Sequence, residues 1–367
     1  MKISYNGELR NALVMEAEAS RVTKRSSTSA KFAKCENPDL CGGYLQSFLI
    51  EGSSPQQLEN VCRLPIVHHN GYVCDLPPNH RFPMAKFHNV LEHLIKDGVI
   101  APDKQVVCPQ QVPSEIACTV HSAKYVEDFF CGKTSAEEQR ATGFTWTSGL
   151  ASRVRYETGG TVLAAQLSLQ RGMACSTAGG THHAYPDHGS GFCLINDLAV
   201  AAQYTINTTS VSKVLVVDLD VHQGDGTAHI FKNQDCVFTF SMHCIQNFPL
   251  RKQHSDLDVG LDKGTGDVRF ISTLHDYLPF VLDSFRPDLV LYDAGVDPHK
   301  DDELGKLQLT DKGLFERDFY VMNEVVRRGI PCASVIGGGY SRDINMLANR
   351  HTIVHRAATK VWTNRKL

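Results

Sequence analysis

The chain has 367 residues, 42% of them apolar and 21% charged, which is enough to bury a substantial core and excludes a disordered polymer. Its 37 Lys and Arg against 40 Asp and Glu leave a formal charge of -3, without the basic excess of a dedicated nucleic-acid binder. No apolar run approaches the roughly 20 residues needed to cross a bilayer.

Residues 1–63 read as an N-terminal extension, partly flexible. The stretch 21–34 (RVTKRSSTSAKFAK) is basic and rich in Ser and Thr, the composition of a solvated arm. A mitochondrial address shares that bias, but Glu8, Glu16 and Glu18 oppose it. Residues 44–50 suit a short helix, and 53–57 (SSPQQ) a break. The opening MKISYNGELR lacks the apolar stretch of a signal peptide. The 12 Cys are scattered without a C-x-x-C pair, so no zinc ribbon or redox dithiol is suggested. Cys108, Cys118, Cys236 and Cys332 sit in apolar runs and read as small buried hydrophobes of a reducing compartment. The expected location is therefore cytoplasmic or nuclear, with the mitochondrion as the alternative.

From residue 64 to 367 the pattern is that of one domain. Met84, Phe87, Leu91, Leu94 and Ile95 recur at helical spacing. Further helices are expected at 159–171, 196–205, 276–285 and 310–328. Short β-branched runs at 214–219, 237–242, 289–292 and 332–336 read as buried strands. Strands without polar alternation, separated by helices, predict a single α/β domain: a mainly parallel central sheet covered by helices on both faces.

Polar residues crowd the ends of these strands. The string DLDVHQGDG carries Asp218, Asp220, His222 and Asp225, and the first three alternate with Leu219 and Val221, so they share a face. The next strand ends in Asp293 and runs on to Gly295-Val296-Asp297. The last ends in Gly337-Gly338-Gly339-Tyr340. Ala178-Gly179-Gly180 leads into His182 and His183. In an open parallel sheet the carboxyl ends of strands line one crevice where ligands bind.

Each residue alone has an ordinary explanation. An Asp at a strand end usually caps a helix, as Asp225 would. A single His is usually packed or at the surface, the default for His68, His69, His80, His88 and His254. A Tyr can be core, and a Gly run can be only a turn. Their coincidence on four strand ends is what the ordinary explanations leave unexplained. Asp220, His222 and Asp297 form a one-His, two-carboxylate set that leaves a coordination position open, the pattern of a catalytic zinc. Asp218 and Asp225 could each hold the N–H of an imidazole, and His182 and His183 supply two. Tyr340 could donate to a developing oxyanion.

The strings GGTHHAYPDHGSGFCLIND, DLDVHQGDG, the Gly-Val-Asp at 295–297 and GGGY resemble the zinc-dependent histone deacetylases of the arginase-like fold, over roughly residues 64–362. NHRFPMAKF, NFPLRK and the HQGDG variant are most similar to the class IV branch and its bacterial relatives. The resemblance implies hydrolysis of N-acyl-lysine amides in a protein or peptide substrate. It makes Asp220, His222 and Asp297 the ligands of one zinc ion. His183 becomes the general base and acid, partnered by Asp225; His182 is partnered by Asp218; Tyr340 is the catalytic tyrosine. Gly191 and Phe192 become one wall of the acyl-lysine channel and Phe248 the other, with the small Gly338 and Gly339 leaving room behind. Leu304 takes a rim position where polyamine-specific members carry an acid, although Glu303 is adjacent. A structural potassium ion is implied at Asp218, Asp220 and His222 with Ser241 and Met242. The class IV branch further implies a leaning toward long fatty acyl groups. Residues 141–148 (ATGFTWTS) contain no acid that could grip a substrate backbone, a departure from peptide-specific members. Three alternatives stay open: an acetylpolyamine or other small-molecule amidohydrolase, a two-metal guanidine hydrolase, and a catalytically weak scaffold. The oligomeric state is not legible.

Overall fold

The computed structural model describes residues 61–367, so the arm at 21–34, the helix expected at 44–50 and the break at 53–57 lie outside the described residues. The fold is built on one sheet of 8 parallel strands. They are β1 (Ile66–Val67), β2 (Val106–Val107), β3 (Met173–Ser176), β4 (Val214–Asp218), β5 (Val237–Cys244), β6 (Leu257–Leu261), β7 (Leu289–Asp293) and β8 (Cys332–Val335), in the spatial order β2-β1-β3-β8-β7-β4-β5-β6. The central strands β3, β4, β7 and β8 are buried throughout, as their uninterrupted apolar and small residues dictate. Edge strand β6 alternates buried and exposed residues; its Asp258 and Gly260 hid it from the search for continuous apolar runs.

Two groups of helices cover the sheet. One contains α1 (Ser148–Arg171) and α2 (Asp197–Thr208), which pack on each other and against β3 and β8 or β4. In the other, α3 (Asp267–Phe285), α4 (Asp311–Val326) and α5 (Ile344–Arg365) pack side by side, and α5 also covers Lys86–Lys96.

Helix α1 begins 11 residues before the expected start, where the Thr147 hydroxyl accepts from the backbone N–H of Leu150. The reason it was underestimated is the Gly159-Gly160 pair, which weakens local helix propensity. Tertiary packing requires both glycines. A Cβ at Gly159 would stand 1.9 Å from the Gln110 carbonyl oxygen, and one at Gly160 2.0 Å from the Tyr72 hydroxyl. Helix α5 was not expected at all, because Arg350, His351 and His355 are buried on it and erase its apolar periodicity. Cys332 is buried as expected, Cys118 and Cys236 only partly, and Cys108 is exposed, a correction to its reading as core.

Candidate active site at the carboxyl ends of four adjacent strands

Strands β3, β8, β7 and β4 are neighbours, and the segments that follow them meet in one crevice. Asp218 ends β4 and lies in register with Asp293 at the end of β7. Beyond β4 the backbone turns so that Asp220 and His222 face Asp297 from the β7 loop. His222 Nδ1 lies 2.9 Å from Asp220 Oδ1 and 3.0 Å from Asp297 Oδ2. The outer oxygens of both carboxylates are held by backbone: Gly338 N–H donates to Asp220 Oδ2 and Val221 N–H to Asp297 Oδ1, each at 2.8 Å. Apart from that close approach of His222, Asp297 Oδ2 is buried without a hydrogen-bond partner among the described residues.

Burial opposes charge on all three groups. It raises the Asp297 carboxyl to about 7, helped by its neighbour Asp220. His222 is buried too, yet Asp297 and Asp220 outweigh that and lift its imidazole to about 10. Two carboxylates and one nitrogen thus converge in a dry site with more negative charge than protons alone comfortably neutralise. That donor set fits a borderline divalent cation such as zinc, and its three protein ligands leave a position open. Gly338 is required at this point, because a Cβ there would lie 2.3 Å from Asp297 Oδ2 and 2.6 Å from Asp220 Oδ2.

The tandem histidines stand beside this set. His182 Nδ1 bonds Asp218 Oδ2 at 2.7 Å, and His183 Nδ1 bonds Asp225 Oδ1 at 2.6 Å. Each thereby has its Nε2 left for the crevice. Their environments push them apart. Burial disfavours a charged His182, but Asp218 and Asp220 overcome it and hold it well above the usual imidazole range. Burial and the neighbouring His182 instead push His183 down to about 4, despite Asp225. Asp225 is the first residue of the helix Asp225–Phe231, but its side chain does not cap it: Gly224 is the N-cap, and the carboxylate accepts from the Tyr185 hydroxyl at 3.0 Å besides bonding His183.

Tyr340 follows β8, and its ring faces His222 at 6.4 Å and Phe192 at 5.8 Å. Burial keeps its phenol protonated. Phe192 and Phe248 flank the crevice, Phe248 standing edge-on to His183 at 4.9 Å. Gly191 lets them approach: its Cβ would meet His183 Cδ2 at 2.8 Å and Phe248 Cε1 at 3.0 Å. Phe192 itself has φ 66, a left-handed conformation that costs a bulky residue energy. Gly339, behind Tyr340, packs against His351. Leu304 lies at the rim, partly buried, with its N–H on Asp302 and its carbonyl on Asn247. Glu303, the possible substitute acid, is tied to the backbone N–H of Arg342 at 2.7 Å. Ser241 pairs in register with Asp218 across β4 and β5, with Met242 next along the strand.

Several residues of the site were missed. Asp302 Oδ2 accepts from the Tyr340 backbone N–H at 2.7 Å and its Oδ1 from Leu304 and Gly305, so one carboxylate joins rim and tyrosine. Asp197 receives the Gly180 and Thr181 N–H groups and fixes the turn that presents the histidines. Asp293, read only as a strand end, is buried 3.8 Å from His182 Nδ1 with neither oxygen partnered. Lys86 and Glu157 reach the same pocket from distant helices. Lys86 and Asp197 lie inside the strings NHRFPMAKF and GGTHHAYPDHGSGFCLIND without standing out there, and no motif marks Asp302, Asp293 or Glu157.

Comparison with known proteins gives a consistent result. Residues 80–356 match the histone deacetylase domain family. A Picosynechococcus sp. protein described as uncharacterized is 48% identical over 298 residues, 81% of this chain and 99% of its own. Histone deacetylase 2 of Arabidopsis thaliana is 29% identical over 72% of this chain and 70% of its own. The crystal structure of the HDA15 HD domain superposes with a TM-score of 0.66 at 20% identity, covering 82% of this chain and 92% of that one.

Proposed function

The chain belongs to the histone deacetylase family, and on that premise we propose that it is a zinc-dependent hydrolase of N-acyl-lysine amides in proteins or peptides. The observation that carries the reading is the approach of Asp220 Oδ1 and Asp297 Oδ2 to within 3.0 Å of His222 Nδ1, beside two imidazoles each backed by a carboxylate. In this reading residues 64–367 form the catalytic unit.

Asp220, His222 and Asp297 would hold the zinc. Bound there, zinc supplies Lewis-acid polarisation of the acyl oxygen and eases ionisation of the attacking water. The chain's own groups do the rest. Phe192 and Phe248 enclose the lysine stem and keep bulk water from the amide. His183, neutral at neutral pH, takes a proton from the attacking water at Nε2 and later gives it to the departing lysine nitrogen. His182, kept cationic by Asp218, stabilises the negative charge that develops on the acyl carbon's oxygens. Tyr340 donates its phenol hydrogen to the same oxyanion. The C–N bond breaks, leaving a carboxylate and a free amine.

A potassium ion at Asp218, Asp220, His222, Ser241 and Met242 belongs to this reading, supported by the register of Ser241 against Asp218. Leu304 speaks against a polyamine substrate, because it offers no charge to a second amine, and the neighbouring Glu303 carboxylate is directed to the Arg342 backbone N–H. The long-chain leaning has weaker support: the pocket beside the histidines is lined by Lys86 and Glu157, charged groups that methylenes would desolvate further without offering a hydrogen bond. The test is to offer zinc-loaded protein an acetyl-lysine peptide, acetylspermidine and arginine in parallel. Hydrolysis of the peptide alone is expected. Turnover of arginine or acetylspermidine in its place would overturn the assignment.

A further inference from the structure

A small, partly open pocket is lined by the tandem histidines. Its near side is the reaction centre: His182, His183, Asp220, Gly338 and Tyr340. Its far side is unusual for a chamber that receives an acyl group, because it carries a buried ammonium. Lys86 is 1% exposed and reaches beneath the Gly337–Tyr340 turn. Among the described residues its Nζ hydrogen-bonds two oxygens, the carbonyls of Gly337 at 3.2 Å and Gly339 at 3.4 Å, both long for charge-assisted bonds. An ammonium has three donors. The remaining surroundings are the rings of Phe82, Phe87 and Tyr340, 5.3 to 5.9 Å away. Burial disfavours its charge and draws it down to about 8 even with Asp297, Asp220 and Asp302 nearby.

The other charges of that wall largely cancel. Glu157 Oε1 holds Arg153 at 2.8 Å and the Gly179 N–H at 3.3 Å. Its Oε2 is buried without a partner. Arg153 is spent on Glu157 and the Tyr72 carbonyl. Lys86, Arg153 and Glu157 together carry one net positive charge beside the pocket, with Asp302 as the further carboxylate acting on Lys86. The nearby Asp220 and Asp297 are the residues assigned to the divalent ion, whose charge they would share.

We infer that the pocket selects short acyl groups ending in a carboxylate, of the malonyl, succinyl or glutaryl class, with Lys86 as the residue that receives the terminal anion. The inference rests on the reading of the chain as an acyl-lysine hydrolase and names the substrate class of that same site. A straight alkyl chain of equal length would leave the ammonium buried against methylenes. The carboxylate supplies the missing acceptor.

The test compares isosteres on one peptide: glutaryl-lysine against pentanoyl-lysine, with acetyl-lysine as reference, using the zinc-loaded full chain. The wild-type protein should favour glutaryl over pentanoyl in kcat/KM by about ten- to a hundredfold, the range of one hydrogen bond to a charged group. Lys86→Met should abolish or invert that ratio, and Lys86→Arg should retain it. Zinc content and far-UV circular dichroism report whether each variant is folded; if neither folds, the wild-type ratio alone decides. Hydrolysis of acetyl-lysine together with a preference for pentanoyl would overturn the inference and leave the hydrolase reading intact. Failure to hydrolyse any of the three would overturn both.

Discussion

The two adjacent imidazoles have opposite fates because their neighbours differ. His182 sits among Asp218, Asp220 and Asp293, whereas His183 has Asp225 on one side and the charged His182 on the other. Titratable groups whose environments drive them apart divide the acid and base work. In the proposed mechanism Tyr340 acts through a single donor, and replacing such a donor costs about 3 kcal/mol of transition-state stabilisation. Tyr340→Phe should therefore lower kcat by about a hundredfold or more with zinc content unchanged; full activity would remove Tyr340 from the mechanism. Asp302 acts one step back, through the Tyr340 backbone. Asp302→Ala should lower kcat about ten- to a hundredfold through misplacement of the phenol, and Tyr340→Phe should then add little in the double variant. Additive losses would show that Asp302 works elsewhere. The convergence of Asp220, His222 and Asp297 beside His182 and His183 was legible in the sequence because each sits in a dense motif beside a strand. Asp302, Asp293 and Glu157 were not, nor was any role for Lys86 within NHRFPMAKF, because such residues acquire meaning only from partners brought in by the fold.

At the scale of elements, strands were easier to read than helices. The β-branched runs at β4 and β7 are short, continuous and buried, so pattern and structure agree within a residue. Helices α1 and α5 break their own periodicity with buried glycine, arginine and histidine. That irregularity in α5 has a consequence for stability. Burial, with His68 nearby, pushes His355 down to about 3, and His351 is also lowered. Neither ring nitrogen of either residue has a partner. In the unfolded chain an imidazole binds its proton near pH 6.5. Below that value the unfolded state takes up protons that the folded state refuses, so stability is full above about pH 6.5 and falls steadily toward about pH 3. At pH 5 His355 alone should cost about 2 kcal/mol. Urea titrations with chelator present should show this slope in the wild-type chain and a shallower one in His355→Leu. An unchanged slope would mean that His355 is not held neutral. The N-terminal cap of α1 makes a smaller claim: Thr147→Ala should cost about 1 kcal/mol in the same titration.

The whole molecule solves one problem, the delivery of distant polar residues to a single crevice. An open parallel sheet does this by placing strand ends side by side, and the order β3-β8-β7-β4 puts the histidine, tyrosine and two aspartate segments in sequence. This convergence was expected from the alternation of strands and helices, but the strand order was not, since nothing local encodes which strands become neighbours. The arrangement gathers Asp218, Asp220, Asp293 and Asp297 in the interior, so a bound cation should stabilise the fold as a whole. Saturating zinc at about a hundred times its dissociation constant should add about 2.7 kcal/mol, seen as a rise in Tm that His222→Ala abolishes. An equal rise in that variant would place the stabilising ion elsewhere. The most direct measurement is an activity titration: chelate the protein, then add zinc stepwise while following hydrolysis of an acyl-lysine peptide. Activity should rise from the baseline and saturate at about one zinc per chain, the stoichiometry of a three-ligand catalytic site. Saturation at two ions, or full hydrolysis by the chelated chain, would contradict a single metal held by Asp220, His222 and Asp297.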